Sequence, residues 1–318
     1  MSILDCIGRT PLVPLRRIAP KSGARILVKL ESQNPTGSMK DRPALAMIEA
    51  AEADGRLPPG GPVVEYTGGS TGVSLAQVCA AKGHPFHVVS SDAFAREKLD
   101  HMRALGARLH IVPSEGGGMT GKLTRDMVEA ARLIAEETGA YLTDQLNNTD
   151  QLAAYRRMAG EILEQAPGPV AAFVQSVGTA ACLRGNAEAL RAADPLTRIM
   201  AVEPAESPVL SGGPTGSHRI DGVGAGFVVP LWREGLADAI ERVSTEEAVA
   251  MALRLAREEG LFGGTSTGAN LVAALRTAET LGPDAIVVTV LCDTGIKSLS
   301  AYREALATAV PASSRHSG

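Results

Sequence analysis

Residues 34–43 read Asn34-Pro35-Thr36-Gly37-Ser38-Met39-Lys40-Asp41-Arg42-Pro43. The Pro-Thr-Gly turn delivers one lysine to the beginning of a helical pattern, with Ser38 or Asp41 placed to cap the first turn. A helix start carries partial positive charge and disfavours a second cation. A neutral amine, in turn, is the form of lysine that condenses with an aldehyde. Taken alone, Lys40 reads as a solvated lysine on a helix surface; the segments around it change that reading.

Outward from this loop the hydrophobic period alternates between strand and helix. Upstream, Gly8-Arg9-Thr10-Pro11-Leu12 forms a turn, and a strand over 25–31 runs into the Lys40 loop. Downstream, the spacing predicts a helix over 40–53, a stiff Pro58-Pro59-Gly60-Gly61 linker, a buried strand over 62–67 and a helix over 71–82 closed by Gly83. Strands over 86–90 and 108–112 follow, with helices running to 105 and from Met119 to 137. Past Asp144-Gln145-Leu146-Asn147-Asn148 come a helix to 165, a strand over 170–175, a helix from Thr179, a strand over 198–203 and an irregular Gly-rich stretch over 211–226. Ser244-Thr245-Glu246-Glu247 is a capping box opening a helix to 259, and the last strand covers 285–291. Such quick alternation marks a parallel sheet wound right-handedly, hence an α/β fold with mostly parallel sheets.

At 318 residues with 45% hydrophobic residues, the chain can bury a sizeable core and divides most naturally into two domains. Residues 39–146 make the smaller one, and 1–38 with 147–318 the larger. A net charge of −4 with interspersed signs offers no basic field, so neither nucleic acid nor a membrane is an expected partner. Cys6, Cys79, Cys182 and Cys292 are widely spaced and read as buried free thiols in a reducing cytoplasm. His84, His87, His101, His110 and His218 share no metal-ligand spacing, so no metal is expected. No export signal or membrane span is indicated, and residues 311–318 read as a polar tail.

Four Gly-rich turns fall where a parallel-sheet protein places its ligand, outside the carboxyl ends of strands. The first, Thr67-Gly68-Gly69-Ser70-Thr71-Gly72, has backbone N–H groups and hydroxyls that suit a carboxylate or a phosphate. The second, Ser176-Val177-Gly178-Thr179-Ala180-Ala181, has the same strand-to-helix setting, and a phosphate docked there needs no basic residue. The third is Gly222-Val223-Gly224-Ala225-Gly226 and the fourth Gly263-Gly264-Thr265-Ser266-Thr267-Gly268. Any one alone reads as glycine serving a tight turn. The rival is a dinucleotide fingerprint with Asp92 on a ribose. The first turn lacks the alternating Gly-x-Gly, however, and a nicotinamide enzyme leaves the placement of Lys40 unexplained.

Together these stretches resemble the cysteine synthase (O-acetylserine sulfhydrylase) and cystathionine β-synthase family of fold type II pyridoxal-phosphate enzymes. The matching segments are IGRTPL at 7–12, LESQNPTGSMKDR, DQLNN, VEPAESPVLSGG, HRIDGVGAGF, GGTSTGAN and LCDTG, spread in order over most of the chain. The resemblance implies a tryptophan synthase β-like fold of two α/β domains. Pyridoxal 5'-phosphate would lie in the cleft between them, and the small domain would close over substrate. Lys40 would be in Schiff-base linkage with the cofactor. Gly178, Thr179, Ala180, Ala181 and Cys182 would form the phosphate loop, and Ser266 would face the pyridine nitrogen. Thr67, Gly68, Gly69 and Thr71 with Gln145 would hold the substrate carboxylate, and Gly222 and Gly224 would line the pocket. A homodimer and a serine acetyltransferase partner are family expectations that no residue here supports by itself.

Two segments depart from the family. Thr-Ser-Gly-Asn-Thr-Gly becomes Thr67-Gly68-Gly69-Ser70-Thr71-Gly72, so Ser70 stands where an asparagine contacts the cofactor's 3' oxygen, and the phosphate loop loses a hydroxyl at Ala180-Ala181-Cys182. The implied activity is β-replacement on an activated L-serine, such as O-acetyl- or O-phospho-L-serine, through an α-aminoacrylate. Lys40 would be the base and the product L-cysteine or a related β-substituted alanine. The alternatives are β-elimination by a desulfhydrase-like lyase, synthesis of a non-protein amino acid, and, from another class, a catalytically idle ligand-binding paralogue.

Overall fold

The computed structural model describes residues 1–20, 22–115 and 121–308. The described residues include ten strands: Leu12–Pro14 (β1), Arg25–Leu30 (β2), Val63–Tyr66 (β3), Phe86–Ser91 (β4), Arg108–Val112 (β5), Tyr141–Leu142 (β6), Ala172–Ser176 (β7), Arg198–Pro204 (β8), Ala239–Val243 (β9) and Ile286–Leu291 (β10). The helices are Asp41–Ala53 (α1), Ser70–Lys82 (α2), Arg96–Ala104 (α3), Gly121–Thr138 (α4), Gln151–Gln165 (α5), Ala181–Ala193 (α6), Thr245–Glu259 (α7), Thr265–Glu279 (α8) and Leu299–Thr308 (α9).

The strands form a six-stranded sheet in the order β1-β2-β10-β7-β8-β9 and a four-stranded sheet in the order β5-β4-β3-β6. Every pairing is parallel except β1 with β2. The expected α/β architecture with mostly parallel sheets is therefore found. Each sheet draws on its own stretches of chain. β10 reads IVVTVL and β3 VVEY, and every residue of both is buried, as helices on both faces of a parallel sheet require. Leu27, Phe173, Val288 and Val290 of the larger sheet pack on one side with Met158 and Ile162 of α5 and Leu183 of α6. Ile26, Val174 and Val287 pack on the other with Leu271 and Ala274 of α8.

Helix ends follow local chemistry. Gly83, at φ +81°, closes α2, and Ser244 with Glu247 forms both halves of the capping box that opens α7. The differences from the expected pattern are short or edge elements. β1 ends in Pro14, tolerated on an edge strand, and carries too few residues to show an alternation. The two-residue β6 and the partly buried β9 show no clear period either. α6 starts at Ala181, two residues after the expected Thr179, because Ala180 takes a left-handed φ of +67°. The expected helix start at Met119 and the tail at 311–318 lie outside the described residues. Cys79, Cys182 and Cys292 are buried free thiols, whereas Cys6, expected to be buried, is exposed on an N-terminal 3-10 turn.

A buried ionic cluster fixes α1 to the larger sheet. Arg42 donates from Nε to Glu31 Oε2 at 2.6 Å and from both terminal nitrogens to Glu161 at 2.7 Å. Lys29 Nζ lies 2.8 Å from Glu161 Oε2, and the Thr10 hydroxyl donates to Glu31 at 2.6 Å. Burial alone would raise the Glu161 pKa, but the hydrogen bonds and charge of Arg42 outweigh it and hold the carboxyl at about 2. Removing one member of such a cluster strands a buried charge. Arg42→Ala is expected to cost about 3–5 kcal/mol in urea unfolding; a loss no larger than that of an exposed ion pair would show the cluster to be dispensable.

Candidate active site

Lys40 is the residue on which α1 starts, at φ −73° and ψ −14°, and it is half-buried. Its backbone N–H donates to Ser38 Oγ at 3.1 Å. No side chain caps α1, contrary to expectation for Ser38 or Asp41. Asp41 instead turns back on the loop. It accepts from the Thr36 N–H at 2.8 Å and from the hydroxyls of Thr36 and Ser74, each at 2.5 Å. Burial pushes the Asp41 carboxyl up, against the pull of these three donors. Because Ser74 lies on α2, Asp41 ties the lysine loop to the small sheet's first helix. The other side of the loop is sewn to the end of β10: Met39 N–H donates to the Cys292 carbonyl at 2.7 Å, and Thr294 N–H to the Gly37 carbonyl at 2.9 Å. Gly37, at φ +75°, leaves no room for a Cβ, which would lie 2.8 Å from Thr294 Cγ2.

The loop after β7 meets the Gly-rich stretch closely enough to require glycine: a Cβ on Gly178 would lie 2.4 Å from the Gly222 carbonyl oxygen. Gly224 N–H donates to the Val177 carbonyl at 3.0 Å, and Gly178 and Gly224 line one cavity with Glu203, Ser207 and Phe227. Ala180, just before α6, has no polar side chain to cap it; Thr179 Oγ1 accepts from the Ala181 N–H at 3.4 Å. Cys182 and Cys292 are buried thiols pushed up by burial, Cys292 to about 11, and both lie within electrostatic reach of Lys40. Ser266, 2% exposed in the first turn of α8, interacts through its hydroxyl with Cys292. Lys40, Cys182 and Ser266 all act electrostatically on or with Cys292, the residue that follows β10.

The turn after β3 brings Thr67, Gly69, Thr71 and Gln145 together. Gly69 N–H donates to Thr67 Oγ1 at 3.2 Å, and Thr71 Oγ1 donates to Gln145 Oε1 at 2.7 Å. Gly69 begins α2 with no side-chain cap, and Ser70 follows as its first, half-buried residue. Gly68 lies under the Phe94 ring. Sequence reasoning missed Glu65, whose Oε2 accepts from the Gln145 N–H at 3.1 Å and the Thr143 hydroxyl at 2.5 Å, and so fixes Gln145. Its one signal was a carboxylate inside the apolar run 62–67.

Two observations test whether these residues fit a phosphorylated pyridine aldehyde. Ser176 Oγ, just before the Gly178 loop, is buried with no hydrogen-bond partner. Apart from the long bond of the Ala181 N–H to Thr179 Oγ1, no side chain caps the start of α6 beside it, the setting that receives a phosphate. With an amine at position 40 and a neutral hydroxyl donor at Ser266, the donor set fits. The fold and the site together define a vitamin B6 enzyme. A sequence model of the family described as "Pyridoxal-phosphate dependent enzyme" matches residues 3–293, and this chain belongs to that family and depends on that cofactor. It is 40% identical to the probable cysteine synthase of Bacillus subtilis (strain 168), over 93% of this chain and 95% of that one. Among solved structures it is similar to O-ureido-L-serine synthase, at 35% identity and a TM-score of 0.89, covering 96% of this chain and 98% of that one. It is also similar to a hydrogen sulfide-producing enzyme from Fusobacterium nucleatum, at 34% identity and a TM-score of 0.86, covering 93% and 97%. The expected likeness to cysteine synthase stands. Among the described residues, no helix is long and apolar enough to cross a membrane, and no group of three or more His, Cys, Asp and Glu could hold a metal ion.

Burial pushes the Glu65 carboxyl up to about 8, more than its hydrogen bonds pull it down. Between its ordinary value of 4.5 and about 8, the unfolded chain therefore holds fewer protons here than the folded one, and stability falls as pH rises. Glu65→Gln is expected to flatten this decline in thermal unfolding profiles across that window. An unchanged slope would show that Glu65 is ionised in the fold.

Proposed function

We propose that this chain replaces the β-substituent of an activated L-serine, such as O-acetyl- or O-phospho-L-serine, to give L-cysteine or a related β-substituted alanine. One observation carries it. The loop that carries Lys40 is hydrogen-bonded to the end of β10 on one side and to Ser74 of α2, the helix that follows the 67–71 turn, on the other. That placement supports reading Lys40 as the amine that would serve a phosphate site at 178–182 and a carboxylate site at 67–71.

Pyridoxal phosphate, when bound, supplies a sink for negative charge developing at the substrate Cα. Every other task falls to the chain. The amides at the start of α6, with Thr179, would hold the phosphate, and Ser70 would stand nearest the ring's 3' oxygen. Ser266 would donate a neutral hydroxyl to the pyridine nitrogen, leaving that nitrogen without a carboxylate partner. Ser266 would thereby leave negative charge at Cα only moderately stabilised, which would favour prompt loss of a β leaving group. Residues 67–71 and Gln145 would orient the substrate carboxylate with the amides of α2. Gly222 and Gly224, bare of side chains, would leave space for the β-substituent. Lys40 Nζ would carry the cofactor, take the Cα proton as general base and return it at the end of the cycle. Residues 39–146 would close over 1–38 and 147–318 to exclude water from that proton transfer. A cytoplasmic homodimer belongs to the same proposal, supported by the buried free thiols and the family resemblance, and docking of a serine acetyltransferase rests on that resemblance alone.

A panel of β-substituted serines and nucleophiles, followed by product mass, tests this reading; incorporation of the nucleophile into a β-substituted alanine is expected. A second reading, β-elimination, has behind it the likeness to a hydrogen sulfide-producing enzyme. Pyruvate released at a rate indifferent to added nucleophile would establish it instead. Lys40→Ala is expected to lose the borohydride-sensitive absorbance and at least about a thousandfold in turnover. Retained turnover would exclude Lys40 as the base.

A further inference from the structure

The turn at 67–72 is gripped by one neighbouring segment at two of its glycines. A Cβ on Gly68 would lie 1.9 Å from Phe94 Cγ and 2.0 Å from Cδ2. A Cβ on Gly72 would lie 2.7 Å from Met102 Sδ. Phe94 belongs to the link between β4 and α3, and Met102 to α3 itself. Neither can retreat freely. Met102 is fully buried, and the Phe94 ring rests on a core of Val64, Tyr66, Val89 and Leu123. The Phe94 backbone is also tied down, its N–H donating to the Ser91 carbonyl at 3.2 Å. The overlap at Gly68 falls on the ring's root at Cγ, so a side chain there must turn the whole ring out of its bed.

We propose that Phe94 is a positioning residue of the amino-acid site. Its ring takes the volume that a side chain at position 68 would claim, and it holds residues 67–71 so that the free amides at the start of α2 face an α-carboxylate. This rests on the reading of that turn as the substrate-carboxylate site. The ring and a side chain at 68 exclude each other, so the bare Gly68 and Phe94 form a matched pair. The turn's shape is then fixed from above by an aromatic ring, and the carboxylate of an L-α-amino acid is held by backbone amides and the Thr71–Gln145 pair.

The test uses the holoenzyme and L-alanine, an amino acid with no β leaving group, as a calorimetric probe. Phe94→Ala is expected to weaken L-alanine binding about tenfold and to raise KM for the activated serine by a like factor, with kcat changed less than about threefold. Cofactor absorbance should be unchanged. Gly68→Ser should show the same losses, since the serine displaces the ring. In Gly68→Ser/Phe94→Ala the vacated volume receives the serine, so the losses fall well short of their product. Phe94→Leu, which keeps most of the side-chain volume, should restore binding to within about threefold of the wild type, and Gly68→Ser carries the comparison if Phe94→Ala does not fold. L-alanine binding by Phe94→Ala, or by Gly68→Ser where Phe94→Ala does not fold, that matches the wild type, or a double variant whose losses simply multiply, overturns the proposal while leaving the carboxylate site intact. A wild-type holoenzyme that binds neither L-alanine nor an activated serine sinks the carboxylate reading and this proposal with it.

Discussion

Two carboxylates taken wholly out of water hold the lysine-bearing loop in place. Glu31 and Asp41 are both 0% exposed, and a buried carboxylate is tolerable only when donors surround it. Glu31, just after β2, is met by Arg42 and by the Thr10 hydroxyl. Asp41 is met by the Thr36 amide and by two hydroxyls. These demands bracket Lys40. One anchors the strand that enters the loop, and the other anchors the first residue of α1. Arg42 shares its fork between Glu31 and Glu161 of α5, so the loop sits where β2, α1, α2 and α5 agree.

Around that loop the fold leaves helix starts unsatisfied by its own side chains. α2, α6 and α8 follow Gly69, Ala180 and Gly264, none of which caps its helix with its own side chain, and among the described residues the one side-chain bond to their first-turn amides is that accepted by Thr179 Oγ1 from the Ala181 N–H at 3.4 Å. α7, which contributes no residue to the site, opens on a complete capping box. The contrast has a physical meaning. A helix start that caps itself has no donors left to offer, whereas one opened by glycine or alanine keeps its amides and its dipole for a ligand's anionic group. In the proposed function these helix starts, with few basic side chains beside them, would receive a phosphate and a carboxylate.

The glycines of the site serve close approach. Gly178 lets one backbone come against Gly222, Gly37 lies against Thr294, and Gly68 lies beneath Phe94. Packing of this kind makes the pocket rigid where backbone faces backbone and replaceable where a side chain does the facing.

The sequence by itself determined the α/β class, the strand-to-helix turns at 67–72 and 176–182, and Lys40 at a helix start, because each is written in neighbouring residues through period, glycine and capping chemistry. Only the tertiary structure decided what those local features meet. Asp41 bonds a serine 33 residues on, Glu65 holds Gln145 from 80 residues away, and Phe94 lies over Gly68. β1 pairs antiparallel at an edge with too few residues to announce itself. Hydrophobic period tells which face of an element turns inward and is silent about the partner it finds there, since that partner is chosen by how whole sheets and helices pack.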